Sequence, residues 1–90
     1  MGTAGIVALS ASGGVKGSPG MVCAMVLTAG GDAASVTLYD NTAGSGAKLV
    51  VLKAGAGNSA VFCPAAPVAA GRGIYAVLTG TGAEAFVQVI

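Results

Sequence analysis

Ninety residues make one domain, 1–90, and a domain of this size buries only about 60–65% of the surface its unfolded chain exposes, so its own core leaves it marginally stable. Hydrophobic residues are 54% of the chain and charged residues 8%, against roughly 25% in an ordinary domain, which argues against a well-solvated free monomer and for a surface hidden in interfaces. With no His and a net charge of +1, histidine-based catalysis is excluded and a basic nucleic-acid footprint is not supplied.

Residues 1–5 read as a flexible arm. A first strand over 6–12 is ended by Gly13-Gly14, and Ser18-Pro19-Gly20 is a turn. A second strand covers 21–28 and ends at Gly30-Gly31-Asp32. The third covers 35–40, with Val36 and Leu38 on one face and Thr37 and Tyr39 on the other. Residues 41–46 form a loop, 48–53 a fourth strand, and Gly55-Ala56-Gly57-Asn58 a tight connection. The fifth strand, 59–63, is stopped by Pro64, and 65–73 is a longer irregular connection. A sixth strand over 74–79 turns through Gly80-Thr81-Gly82, as a final hairpin, into a seventh over 84–90. Helix is hard to place, because no stretch of about twelve residues is free of Gly and Pro and also apolar at three-to-four spacing; the alanine-rich 64–70 contains Pro67 and reads as an extended connection. Seven short strands at regular spacing predict an all-β chain, an antiparallel β-sandwich of jelly-roll or Ig-like type.

A strand with one wet side alternates apolar and polar residues. The segments 21–27 and 49–52 are apolar throughout, and 84–90 carries apolar residues on both faces. One face fills the sandwich; the other needs a cover from another chain. The candidate interface residues are Met21, Met25, Val50, Leu52, Phe86 and Ile90. They predict a homo-oligomer. A trimer is the expected form, though no residue sets that number.

Catalytic, cofactor and metal sites are not expected. The acids Asp32, Asp40 and Glu84 fall on turns or strand edges, and Asp40-Asn41 reads as a turn-capping pair. Gly44-Ser45-Gly46-Ala47-Lys48 lacks the spacing and the following helix of a phosphate loop, and Gly80 and Gly82 precede a strand, not the helix of a dinucleotide site. Zinc wants about four N or S ligands, and the chain offers Cys23 and Cys63 alone. Both cysteines are expected reduced and buried, with no base to activate either. Lys16, Lys48, Lys53 and Arg72 are scattered, which predicts no nucleic-acid partner. The longest clean apolar run, 21–27, is far short of the ~20 residues of a membrane span. The opening Met1-Gly2-Thr3-Ala4-Gly5 lacks the basic start and apolar stretch of a signal peptide, so synthesis and retention in a cytoplasm are expected.

Residues 35–90 also carry an ordered pattern. Ser35-Val36-Thr37-Leu38-Tyr39-Asp40-Asn41 leads to Gly46-Ala47-Lys48-Leu49, then to a Gly turn, a Phe-ended strand and a Pro, and finally to Gly73-Ile74-Tyr75-Ala76-Val77-Leu78-Thr79-Gly80-Thr81-Gly82-Ala83-Glu84. This order resembles small virion proteins of tailed bacteriophages, with a "TLYDN … SGxKL … GxYxxLTGTGAE" pattern. It departs from theirs at Gly71-Arg72-Gly73-Ile74-Tyr75, where "NGLY" is usual. The resemblance implies a non-enzymatic virion component: a capsid decoration, cement or head-fibre protein located in the virion, with the major capsid protein as partner. A tail, collar or adaptor component is the alternative, and a small carbohydrate- or protein-binding sandwich module a further one. The matched positions are strand and turn determinants, so no functional residue transfers.

Overall fold

A computed structural model describes residues 5–90. Of the expected arm, residues 1–4 lie outside the described residues, while Gly5 already belongs to the first strand. Nine strands follow: β1 (Gly5–Leu9), β2 (Gly13–Lys16), β3 (Gly20–Thr28), β4 (Ala34–Tyr39), β5 (Lys48–Ala54), β6 (Ser59–Phe62), β7 (Val68–Ala70), β8 (Ile74–Thr79) and β9 (Glu84–Val89). There is no helix among the described residues, and so none long and apolar enough to cross a membrane. All strand pairs are antiparallel and form two sheets, β1-β9-β3-β6 with β7 also on β3, and β2-β8-β4-β5. The chain is an antiparallel β-sandwich.

The strand count differs from the sequence expectation at two short elements. The Gly13-Gly14 pair looks like a terminator, yet it pairs with Ala76 and Tyr75 of β8. Ser12 starts that ladder: its Oγ accepts the Leu78 N–H at 2.8 Å. β7 lies inside the expected irregular connection and is the continuation of β6 along the same edge of β3. Met25 faces Phe62, while Val22, three residues earlier, faces Val68, six residues later. The surplus residues, with Pro64 and Pro67, loop out where an edge strand tolerates a missing N–H.

With β6 and β7 counted as one interrupted strand, the chain has eight strands in two four-stranded sheets. Apart from β4–β5, every connection crosses from one sheet to the other. That is the order of a jelly roll, not of an Ig-like domain. The Gly80-Thr81-Gly82 segment is therefore not a hairpin. It carries the chain from β8 in one sheet to β9 in the other. Gly80 has φ +108°, and a Cβ there would sit 2.8 Å from the Ala33 carbonyl oxygen, so both the backbone angle and the space demand glycine.

The core is a single apolar layer between the sheets. Val22, Met25, Leu27 and Val87 come from one sheet, and Val36, Leu38 and Ile74 from the other; all are fully buried. Among the described residues no polar or charged one is buried with them. Each such side chain contributes about 1.5–3 kcal/mol on burial.

Three of the six candidate interface residues belong to this interior. Met25 is core because β3 carries a bulge between Val22 and Ala24. The extra residue shifts the strand's phase by one, so Met25 faces inward with Val22, not outward with Met21. Val50 and Leu52 lie opposite Leu38 and Val36 and pack against the core from the edge strand β5, partly covered. The residue between them, Val51, faces outward. Cys23 is half-buried and Cys63 exposed, both unpaired, so the expected burial fails at Cys63. That residue lies just beyond β6, in step with outward-facing Val61.

Candidate functional site

The outer surfaces of the two sheets differ. On β2-β8-β4-β5, the outward side chains of β4 are Ser35, Thr37 and Tyr39. Ser35 and Thr79 join their hydroxyls across strands at 2.7 Å. The loop between β4 and β5 folds back over this face, where Gly44 lies so close to Val77 and Tyr75 that a Cβ would come within 3.0 Å of Val77 Cγ2. The outer surface of this sheet thus carries hydroxyls and a cover from its own chain. Tyr39 and Tyr75 are half-buried cross-strand neighbours on it.

The loop is held by its own polar side chains. Asn41 Oδ1 accepts the Thr42 N–H at 2.8 Å, and its Nδ2 donates to the Ser45 carbonyl at 2.9 Å. Asp40 does not cap this turn. Its carboxylate reaches the β7–β8 connection and accepts the Gly71 N–H at 3.1 Å and the Arg72 N–H at 2.8 Å. Those two backbone donors hold the Asp40 carboxyl below its ordinary range, because they stabilise its charged form.

The outer surface of β1-β9-β3-β6 has no such cover. Glu84 is the one charged residue in the five strands of that sheet, and it lies at one end. Ile6 is 70% exposed, Val61 66%, Met21 44%, and Phe86 and Ile90 40% each. The pairing sets them side by side. Phe86 lies between Ala8 and Val26, and Val26 lies beside Val61. Ile6 and Ala24 flank Gln88. At one end Met21 and Ile90 exchange two backbone hydrogen bonds at 3.0 Å. A shallow hollow of about 110 Å³ opens among Ile6, Ala24, Val26, Phe86 and Gln88, with Met25 at its floor.

Met21, Phe86 and Ile90 are thus brought together on this face, while Met25, Val50 and Leu52 are not. The most exposed members, Ile6 and Val61, escaped the sequence reading. Their signal was alternation within short strands: Val61 sits between two inward residues, Ala60 and Phe62.

Other places offer less chemistry. A wider depression of about 460 Å³ lies where Ala33, Ser35, Lys53, Gly55 and Thr79 meet, and its two hydroxyls bond each other. Among the described residues no three His, Cys, Asp or Glu side chains gather as a metal site would need. No family model, curated protein or solved structure matches the chain. The likeness to phage virion proteins rests on the residues of 35–90 alone.

Proposed function

We propose that this chain is a non-enzymatic structural subunit of a tailed-phage virion, a capsid decoration, cement or head-fibre protein that stabilises the particle by packing apolar β-surface. One observation carries the reading: a jelly roll with an apolar interior leaves one sheet face largely apolar, nearly uncharged and uncovered by its own chain. Exposed apolar patches of this extent mark interaction sites. Its partners are copies of itself and shell proteins such as the major capsid protein, met in the virion after synthesis in the host cytoplasm. Jelly rolls recur in viral capsid, lectin and cupin domains, a fold-level analogy that leaves function to the site. The cupin option lacks the histidines that commonly hold its metal. The lectin option has Tyr39 and Tyr75 to offer, and the Gly44 loop lies against Tyr75.

Cryo-electron microscopy of the particle that carries the chain is the test. Density for the sandwich on the shell, at a fixed symmetry position, is the expected result. Density at the tail or collar would move the chain to the alternative, an adaptor or tail component. Absence from purified particles by mass spectrometry would overturn both.

A further inference from the structure

Resting on the reading of this chain as an assembly subunit, we infer that the outer face of β1-β9-β3-β6 is closed by the same face of a second copy, in a twofold pair with Val61 of each copy seated in the hollow beside Phe86 of the other.

The chemistry of the face selects its occupant. A partner recognised through charge needs opposite charge to meet, and this face offers only Glu84 at its end. A largely apolar sheet surface with one charge at its end is matched by another of the same kind, and the same chain supplies one. Packing two sheet faces about 10 Å apart is also how this chain already builds its own core.

The relief of the face is self-complementary. Val61 projects from β6 at 66% exposure. The hollow lies across β3 from it, beside Phe86, at about 110 Å³. That is somewhat smaller than a cavity of ~150 Å³ that accepts a benzene ring, and suits one branched aliphatic side chain. A twofold axis lying in the contact plane, midway between projection and hollow, places each Val61 over the other copy's hollow at once. Such an isologous contact satisfies both copies with one patch.

About that axis β9, β3 and β6 of one copy overlie β6, β3 and β9 of the other, and three strands about 4.8 Å apart and about 20 Å long give a footprint of roughly 300 Å² before side-chain relief is counted. This is below the ~800 Å² of accessible surface that each partner gives to a standard interface, so the pair is a small one held by its apolar contacts. Stacking leaves only β1, with Ile6, at the rim, so no equivalent apolar face remains for a third copy. The outcome is a pair, where the habits of capsid-surface proteins suggested a trimer. The other sheet does not compete, because its outer surface carries hydroxyls and its own loop.

Sedimentation equilibrium of the purified chain, alone, over the micromolar range is the test. The wild type should behave as twice 8.4 kDa. Val61→Lys and Phe86→Lys should raise the dissociation constant by more than about a hundredfold, with an unchanged circular dichroism spectrum. Val51→Lys is the control. Val51 is 48% exposed on the opposite sheet, and its substitution should leave the pair intact. Exposed Cys63, two residues beyond Val61, is a built-in reporter. Its alkylation by iodoacetamide should slow as the wild type associates and stay fast in Val61→Lys. A wild-type monomer throughout, a trimer, or a dimer that survives Val61→Lys overturns the proposal. So does a monomer that floats with phosphatidylcholine vesicles, or one that binds only purified shells, since each assigns the face to another occupant. A wild-type pair missing from purified particles would instead overturn the virion reading and leave the pairing standing.

Discussion

Asp40 joins two stretches of chain that are far apart in sequence. Its carboxylate holds the Gly71 and Arg72 N–H groups against the end of β4. Because the folded state depresses its pKa, the native protein binds fewer protons there than the unfolded chain. The contribution is therefore complete above the unfolded value of about 3.9 and fades as pH falls through that value towards the folded one. Thermal melts from neutral pH downwards should show the wild type above Asp40→Asn at neutral pH and the two converging in acid; parallel curves would refute the role. Gly80 gives a second expectation. Gly80→Ala meets a positive φ and the Ala33 carbonyl together, and should cost more than about 1 kcal/mol in urea unfolding. Both residues were visible in the sequence as turn formers. The 31-residue reach of Asp40 was not, because the identity of a carboxylate says nothing about which distant N–H groups it meets.

At the level of strands, the bulge in β3 decides which side chains face solvent. Val22, Met25 and Leu27 point inward only because Cys23 is extra. Deleting Cys23 should leave Val22, Ala24 and Met25 on their present faces and regularise the ladder. Deleting Val26 should instead turn one half of the strand inside out. The first variant is expected to keep its sheet spectrum and a cooperative melt, the second to lose both, and circular dichroism checks this. Positions of six of the nine strands were legible within a residue or two from the spacing of Gly, Pro and β-branched residues. β1 was legible at its start but ends three residues earlier than expected. The bulge was not legible, since one surplus residue in an apolar run leaves no mark in composition, and Met25 was misplaced for that reason. β2 and β7 were missed because glycine and proline signal interruption even where a neighbouring strand or a serine hydroxyl supplies the pairing. Val50 and Leu52 were misassigned for a different cause: β5 is an edge strand, where inward residues stay partly open.

Across the whole molecule, the sandwich was legible and the path through it was not. Apolar alternation tells which residues lie inward, whereas strand order depends on pairings such as Gly5 with Val89. Those are tertiary choices without a local signature. Leu38→Ala, at the fully buried centre of β4, should cost about 2–5 kcal/mol in urea denaturation and leave the outer faces unchanged. A loss below 1 kcal/mol would mean that the two sheets do not share one close-packed layer.

The position of β9 has a kinetic consequence. It is the last of the nine described strands, and it lies between β1 and β3, pairing with both. Neither of its neighbours has a complete sheet to join until residues 84–89 are available, so a nascent chain holds β1 and one side of β3 open until they have been made. Folding in which distant segments must meet is slow, about milliseconds to seconds. During that interval the aliphatic edges of β1 and β3 are competitors for any other unfinished copy nearby.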